Sequence, residues 1–249
     1  MISTTFKYKS FNFPCGERHI VVEDLDDLPQ ANITFEYQND SEIIELLLIV
    51  DAIKRIGGYI HNLEIPYVPY SRQDRVNIQG ECFSLKVFCF LINSIKAKEV
   101  FITDPHSDVT TALLNNVTVI PQYEIFEKYF RNIGAFSLVC PDGGALKKIH
   151  KLASITHPSR VIECSKIRDT STGEISGIRI NDNHLAGRDF YIVDDICDGG
   201  RTFIEIAKVL KQHEARKIVL MVTHGFFTKG LEVFDNLIDE VYTRKGRVK

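Results

Sequence analysis

The sequence lacks the features that mark nucleic-acid-binding and membrane-spanning proteins. Its 249 residues carry 30 basic and 33 acidic side chains, a formal net charge of −3. Such a balance predicts no global electrostatic field that attracts a polyanion. The longest apolar stretch, Ile43 to Ile53, is interrupted by Glu45 and Asp51, and it falls far short of the roughly 20 residues that span a bilayer. We therefore expect neither a nucleic-acid partner nor a membrane-spanning segment.

Cysteine patterns of structural metal sites are also missing. The six cysteines form no Cys-x-x-Cys pair and have no zinc-finger spacing. No secretory leader is recognisable, so the expectation is reduced thiols in a cytoplasmic protein, most of them acting as small buried hydrophobic residues. No period of roughly 20 to 50 residues recurs, which argues against a repeat fold. The cysteines are Cys15, Cys82, Cys89, Cys140, Cys164 and Cys197.

What is present indicates an α/β fold. Hydrophobic residues make up 44% of the chain and charged residues 25%, the balance of a globular protein with a real core. Short β-branched runs alternate with amphipathic helical patterns, which is typical of βαβ units around mostly parallel sheets. The length allows two domains. A glycine-bearing segment, Arg131 to Ala135, lies between a helical pattern and a new strand, so we predict domains at residues 1–133 and 134–249.

Helices and strands follow from the spacing of apolar residues. Helices are predicted over Asp40–Arg55 and Phe83–Lys96, where apolar residues recur at helical spacing. In such sheets, ligands bind beyond the carboxyl ends of strands, so functional motifs are sought there. Strands are predicted near His19–Glu23, Ile33–Tyr37, Leu63–Tyr67, Val100–Thr103, Phe136–Cys140, Arg160–Cys164, Asp189–Val193 and Lys217–Val222.

The most informative motif joins an apolar strand to a helix through two acids and a glycine loop. The strand Phe190–Val193 leads into Asp194 and Asp195, and the loop Asp198–Thr202 precedes the helical stretch Phe203–Lys211. Paired carboxylates can accept hydrogen bonds from vicinal ribose hydroxyls or act on metal-bound water. The loop can aim backbone N–H groups at a phosphate, because glycines let the backbone come close. The alternative is an ordinary helix N-cap made by the Asp or Thr at either end of the loop.

This stretch resembles the phosphoribosyl pyrophosphate loop of the phosphoribosyltransferase fold. Further along, Tyr67–Arg75 resembles the Tyr-x-Arg-Gln-Asp-Arg stretch of ribose-phosphate pyrophosphokinases, which binds ATP. Arginine suits phosphate because its planar fork binds two oxygens and stays charged. A surface ion pair of little energetic value is the alternative. The resemblance implies ATP binding by Arg72, Gln73, Asp74 and Arg75.

Two other strand ends resemble the metal and ribose motifs of the same family. His106, within Thr103–Asp108, corresponds to the family's metal-binding histidine, and Asp142, within Pro141–Gly144, corresponds to the acid of its Pro-Asp-x-Gly-Gly turn. Mg²⁺ keeps several waters and takes few protein ligands, so a sparse ligand set suits it. A hydrogen-bonded structural histidine and an ordinary strand-to-helix turn are the alternatives. The resemblance implies that His106 and Asp142 position Mg²⁺ directly or through water.

A basic pair corresponds to a mobile loop of the family. Within Ser165–Asp169, Lys166 and Arg168 stand where the family brings a lysine and an arginine over the transferring group. Cations on a closing loop stabilise charge on the oxygens of a transferring phosphoryl group. The resemblance implies a catalytic role for both residues, and a solvated basic loop is the alternative.

The N-terminal part resembles a segment that contacts adenine from a neighbouring subunit. Phe13–Glu17 is similar to the family's Phe-Ser-Asp-Gly-Glu, with Cys15 in place of the acid. Phe13 and Glu17 are therefore expected to bind ATP, with a weakened or rearranged adenine contact at Cys15. A contact made across a subunit interface implies a homo-oligomer.

Taken together, the resemblance covers Phe13 to Thr243 and implies two phosphoribosyltransferase-like domains, each a mostly parallel sheet flanked by helices. The implied reaction transfers the β,γ-diphosphoryl group of ATP to the anomeric hydroxyl of ribose 5-phosphate, with Mg²⁺. Such transfer needs mainly positioning and charge stabilisation. The implied acceptor-binding residues are Asp194, Asp195, Asp198, Gly199, Gly200, Arg201 and Thr202.

One departure from the family bears on the acceptor. The family usually has Asp-Thr-Ala-Gly-Thr where this chain has Asp198-Gly199-Gly200-Arg201-Thr202. The glycines remove a hydroxyl and a methyl, which would open space, and Arg201 adds a cation. ADP-ribose is therefore an alternative acceptor, giving an activated intermediate for NAD resynthesis in a compact member of the type expected in large bacteriophages. A non-catalytic, nucleotide-binding regulatory relative is an alternative of another class.

Overall fold

The chain folds into two compact units. A computed structural model describes residues 1–23, 30–168, 175–180 and 185–249, and it describes their side chains except at 166–168 and 175–177. The units are Met1–Ile120 and Pro121–Lys249. Each contains a mostly parallel sheet with helices packed on it, which confirms the predicted α/β class. The helix Gln122–Phe130 belongs to the second unit, whereas the predicted division after residue 133 assigns it to the first.

The first unit is built on a sheet of five strands. Its strand order is β1-β4-β5-β6-β7, and β1 pairs antiparallel at one edge while the others run parallel. Strands β2 and β3 form a separate antiparallel hairpin. In chain order the elements are β1 (Ile2–Thr4), β2 (Tyr8–Asn12), β3 (Arg18–Val22), β4 (Gln30–Phe35), α1 (Ser41–Arg55), β5 (Tyr59–Ile65), α2 (Ser84–Ile95), β6 (Glu99–Thr103), α3 (Asp108–Leu113) and β7 (Val117–Ile120).

The second unit is built on a sheet of seven strands. Its order is β10-β9-β8-β11-β12-β13-β14, with β10 and β14 antiparallel at the two edges. In chain order the elements are α4 (Gln122–Phe130), β8 (Ser137–Cys140), α5 (Leu146–Thr156), β9 (Arg160–Arg168), β10 (Ile175–Ile180), β11 (Asp189–Cys197), α6 (Arg201–Gln212), β12 (Lys217–Gly225), a 3₁₀ helix (Glu232–Phe234), β13 (Glu240–Thr243) and β14 (Gly246–Arg247).

Strand β11 separates two cores in the second unit. Phe190 and Ile192 join the core that includes the buried face of α6, whereas Tyr191 and Val193 join the core that includes α4 and α5. This alternation follows from the period of two along a strand, which sends successive side chains to opposite faces. Asp195 lies at the next position on the Tyr191 and Val193 side, so the sequence pattern directs it toward α5.

Three strands, β9, β11 and β12, continue beyond their predicted ends. β11 runs through the acidic pair to Cys197, which pairs with Gly225 at the end of β12, and β9 runs to Arg168, which pairs with Ile175 of β10. Hydrogen bonding to a neighbouring strand extends these elements past the apolar run that marks them in the sequence. Asp194 and Asp195 therefore lie within a strand rather than after it.

The remaining global expectations concern membranes and cysteines. In the described part of the chain, no helix has the length and apolar character needed to cross a membrane. The cysteines are free, and Cys89, Cys140, Cys164 and Cys197 are buried. Burial raises the pKa of the Cys140 and Cys164 thiols to about 12, as for small core residues rather than reactive thiolates.

Candidate functional site

In the first unit, the predicted ATP and histidine motifs follow two neighbouring parallel strands. Ile65 of β5 pairs with Ile102 of β6, so the loops after both strands leave the same edge of the sheet. The backbone N–H of Thr103 donates to the carbonyl of Pro66 at 3.2 Å and joins the two loops where they begin. The segment that carries Arg72 and Gln73 and the loop that carries His106 therefore start side by side.

Asp74 is buried at this edge and binds its neighbour Arg75. The Nε and Nη2 atoms of Arg75 donate to the two carboxylate oxygens of Asp74 at 2.7 and 3.1 Å. These hydrogen bonds hold the pKa of Asp74 below its ordinary value, and His106 lies close enough to act in the same direction. Arg72, Gln73 and Arg75 are exposed. Among the predicted ATP residues here, Asp74 is thus placed to orient Arg75, and the exposed ones are placed to meet a ligand.

A cluster around Asp40, with no role assigned from sequence, supports the beginning of this segment. Both the Tyr37 hydroxyl, at 2.7 Å, and the Tyr70 hydroxyl donate to Oδ1 of Asp40. Tyr70 has a φ of +61°, unusual for a residue other than glycine, and its carbonyl accepts from the N–H of Gln73 at 2.9 Å. The cluster therefore fixes the strained residue from which the arginine segment starts.

The predicted adenine-contacting residues lie at the tip of the β2–β3 hairpin. The N–H of Phe13 donates to the carbonyl of Glu17 at 2.8 Å, and the N–H of Gly16 closes the turn on the carbonyl of Phe13 at 2.8 Å. The Phe13 side chain is 46% exposed and contacts Phe11 and His19, with ring centroids 5.4 and 5.9 Å away. An exposed aromatic group on a hairpin tip suits stacking on a flat ring.

In the second unit, three carboxylates gather at the carboxyl ends of β8 and β11. The two strands are parallel neighbours, so Asp142 after β8 and the Asp194–Asp195 pair in β11 share one edge. Burial and the charge of Asp195 raise the pKa of the Asp194 carboxyl well above its ordinary value, and Asp142 adds to the effect. A carboxyl that holds its proton more tightly beside an ionised one offers a donor and an acceptor to vicinal hydroxyls.

Lys148 of α5 stabilises the ionised member of this pair. Its Nζ atom donates to Oδ2 of Asp195 at 3.1 Å, and the two side chains are 24% and 9% exposed. The contact follows from the strand alternation, because Asp195 faces the side of the sheet that α5 covers. No role was assigned to Lys148 from the sequence, since 47 residues separate the two partners.

The predicted acceptor loop leads directly into α6. Gly200 occupies the N-cap position with a φ of +78°, and no side chain caps the helix. The helix-cap alternative for Asp198 and Thr202 is thus not what the structure has. Instead, Oδ1 of Asp198 accepts a hydrogen bond from the Thr228 hydroxyl at 2.7 Å. The helix therefore begins directly behind a glycine in the loop, and a helix N-terminus placed there suits the binding of an anion.

The two glycines of the loop do not simply leave space. A methyl group on Gly200 would come within 2.7 Å of Cζ of the buried Phe234 ring, and one on Gly199 would contact the aliphatic chain of Lys229 at 3.5 Å. Other side chains therefore occupy the directions in which these residues would project. Arg201 is exposed at the first position of the helix, and Thr202 is half-buried.

The remaining predicted residues concern metal and catalysis. Among the described residues, no group of three or more His, Cys, Asp or Glu side chains is arranged to hold a metal ion. His106 is exposed, and Asp142 is half-buried with Oδ1 accepting from the N–H of Gly144 at 3.0 Å. Sparse oxygen ligands still fit Mg²⁺ that arrives with a nucleotide. Lys166 and Arg168 lie in β9, and their side chains lie outside the described residues.

Comparison with known proteins identifies the family. The ribose-phosphate pyrophosphokinase of Thermococcus kodakarensis is 32% identical over 235 residues, which cover 92% of this chain and 81% of that protein. The Pyrococcus furiosus enzyme of the same name is 30% identical, with 92% and 82% covered. The chain belongs to the ribose-phosphate pyrophosphokinase family. Both the predicted family and the predicted enzyme class are thereby confirmed.

Two further comparisons agree with membership of the ribose-phosphate pyrophosphokinase family. The profile of the family described as "Phosphoribosyl synthetase-associated domain" matches residues 180–244. The crystal structure of phosphoribosylpyrophosphate synthetase from Mycobacterium smegmatis superposes with a TM-score of 0.83, at 19% identity, over 96% of this chain and 80% of that one. At that identity the superposition establishes the shared fold.

Proposed function

We propose that this chain transfers the β,γ-diphosphoryl group of ATP to the anomeric hydroxyl of ribose 5-phosphate, giving phosphoribosyl pyrophosphate and AMP. The observation that carries the proposal lies in the second unit. Asp142, Asp194 and Asp195 lie at one edge of the sheet, and a glycine loop follows the last two at the N-terminus of α6. Acidic groups for hydroxyls beside a helix N-terminus for phosphate are what a phosphorylated sugar requires. Family membership supplies the reaction class.

The proposed step forms one bond to the β-phosphorus and breaks another bond to the same atom. The anomeric oxygen bonds to the β-phosphorus, the bond from that phosphorus to the oxygen bridging to the α-phosphorus breaks, and AMP leaves with that oxygen. The hydroxyl proton passes to water or a base. Arg72, Gln73 and Arg75 hold the triphosphate, with Asp74 orienting Arg75. Phe13 and Glu17 contact the adenine.

Other residues bind the acceptor and stabilise the charge that develops during the transfer. Asp194 and Asp195 hold the ribose hydroxyls, and the loop Asp198–Thr202 takes the 5-phosphate. His106 and Asp142 would hold Mg²⁺, which supplies charge neutralisation at the phosphate oxygens when bound. Lys166 and Arg168 stabilise the transferring group. No covalent enzyme intermediate is needed.

The side chains packed against the loop favour ribose 5-phosphate over ADP-ribose as the acceptor. The ADP-ribose alternative depends on space opened by Gly199 and Gly200, but Lys229 and Phe234 lie where larger side chains at these positions would project. What still supports ADP-ribose is the exposed cation of Arg201 beside the loop.

The test is product analysis with each acceptor. In the presence of Mg²⁺ and ATP, phosphorus NMR is expected to detect AMP and a sugar 1-diphosphate, with kcat/KM larger for ribose 5-phosphate than for ADP-ribose. Formation of ADP would contradict diphosphoryl transfer, and preference for ADP-ribose would contradict the acceptor assignment.

A second measurement tests the catalytic role proposed for Lys166 and Arg168. Lys166→Ala combined with Arg168→Ala is expected to abolish turnover while ATP still raises the melting temperature. Unchanged turnover in the double variant would remove the assigned role of these cations.

A further inference from the structure

The turn after β12 is fastened to the acceptor loop. The N–H of Phe226 donates to the carbonyl of Cys197 at 2.8 Å, and the N–H of Thr228 donates to the carbonyl of Asp198 at 3.2 Å. The Thr228 hydroxyl adds a bond to the Asp198 carboxylate at 2.7 Å. Hydrogen bonds thus hold this turn beside the start of the loop, although about 30 residues separate them in sequence.

The next residue, Lys229, lies along the loop itself. Its Cδ and Cε atoms would both be 3.5 Å from a methyl group placed on Gly199. The turn is closed behind it, because the N–H of Gly230 donates to the carbonyl of Phe227 at 2.8 Å and Gly230 has a φ of +75°. Lysine packs its aliphatic chain on such a surface and keeps its ammonium group at the edge. Among the described residues, that ammonium is in neither a hydrogen bond nor an ion pair.

Negative charges near the loop indicate an electrostatic role for the ammonium group of Lys229. The loop begins with the carboxylate of Asp198 and follows the acidic Asp194–Asp195 pair, and these negative charges oppose the binding of a phosphate dianion. Backbone N–H groups at a helix end contribute only partial positive charge. A compact ammonium group beside the loop offsets the carboxylates, and its effect is greater for a dianion than for a monoanion.

We propose that Lys229 is a further acceptor-binding residue that selects a terminal phosphate monoester over a phosphate diester. This inference rests on the proposed assignment of Asp198–Thr202 as the acceptor loop, and it adds a residue from a different loop.

The test uses Lys229→Met, which keeps most of the aliphatic stem and removes the charge. With the full chain, Mg²⁺ and saturating ATP, the KM for ribose 5-phosphate is expected to rise about tenfold, equivalent to about 1.4 kcal/mol. Both kcat and the KM for ATP are expected to stay within about twofold. Lys229→Arg should retain most of the affinity, and Lys208→Met, on the exposed face of α6, serves as the control for loss of one positive charge.

Phosphate selectivity separates charge recognition from a general structural effect. The ratio of kcat/KM for ribose 5-phosphate to that for its 5-phosphate methyl ester is expected to fall in Lys229→Met and stay unchanged in Lys208→Met. An unchanged ratio and an unchanged KM, with wild-type turnover present, would overturn the role of Lys229 alone. If the wild type releases no AMP, the proposed reaction fails. Calorimetric binding of ribose 5-phosphate then decides the inference: weaker binding in Lys229→Met supports it, and equal binding overturns it.

Discussion

At the scale of single residues, Lys148 and Asp195 form an ion pair that is largely shielded from water. Removing the lysine leaves the 9% exposed carboxylate of Asp195 without this cation and frees it to turn away from the acceptor. Lys148→Met is therefore expected to raise the KM for the acceptor about tenfold, with the KM for ATP unchanged. Steady-state kinetics with each substrate varied in turn is the measurement.

Two variants control for the Lys148 prediction. Lys148→Arg should restore most of the acceptor affinity, because the guanidinium group can still reach the carboxylate. Lys147→Met removes a charge from an exposed position of the same helix and should leave both KM values near wild type. Equal effects of Lys147→Met and Lys148→Met would argue against a specific role for the ion pair.

Asp194 provides a test that depends on pH. Its pKa is raised in the folded protein, chiefly by burial and by Asp195, so the folded state holds this proton more tightly than the unfolded chain does. The protonated carboxyl therefore favours folding at low pH. This contribution to the free energy of unfolding is lost as the pH rises from the ordinary pKa of an aspartate through the raised pKa of Asp194. Asp194→Asn, which cannot ionise, should match wild type at about pH 4 and melt at a higher temperature at about pH 8.

Calorimetry in EDTA measures this difference without interference from bound metal. In a chain of this size, each 1 kcal/mol shifts the melting temperature by roughly 2 to 4 °C. The same variant should bind the acceptor more weakly, so stability and function move in opposite directions. A variant that is less stable than wild type at about pH 8 would contradict the assigned cost of ionising Asp194.

At the scale of elements, the loop before α6 depends on its second glycine more than its first. Gly200 has a φ of +78°, and a methyl group there would lie 2.7 Å from Cζ of Phe234. Gly200→Ala is expected to lower the free energy of unfolding by roughly 1 to 3 kcal/mol and to raise the acceptor KM. At Gly199 a methyl group makes ordinary contact at 3.5 Å, so Gly199→Ala should be close to neutral in stability. Denaturant titration of both variants is the check, and equal losses would contradict it.

At the scale of the whole molecule, the hairpin tip and the arginine segment allow a test of the predicted homo-oligomer. If Phe13 contacts adenine bound to a neighbouring copy, Phe13→Ala and Arg72→Ala damage different parts of one shared site. Each variant alone should have a raised KM for ATP. A mixture that exchanges subunits should recover activity, because some sites then combine an intact Arg72 with an intact Phe13 from the other chain.

Sedimentation velocity accompanies the mixing experiment and reports the size of the assembly. A mixture of wild type with Arg72→Ala controls for changes caused by mixing itself. A monomeric protein, or a mixture with only the average activity of its two components, would contradict a site shared between copies.

Much of the fold was predictable because it depends on local apolar patterns. Helix α1 and strand β6 both begin one residue away from the predicted position and end at the predicted residue, since apolar spacing sets the buried face of each element. Strand β14 has only two residues, too few to form a recognisable pattern, and strand β1 has three residues and depends on pairing with the distant strand β4. The extension of β11 to Cys197 has the same cause.

The sequence by itself determined the family, the α/β class and the order of the motifs, because these depend on residue types at fixed spacings along the chain. Only the tertiary structure brought Lys148 to Asp195 and the Thr228–Lys229 turn to the proposed acceptor loop, across 47 and about 30 residues. It also placed Phe234 and Lys229 where two glycines had suggested open space. Such contacts depend on strand order and on which helix covers which face of a sheet, and no local spacing encodes them.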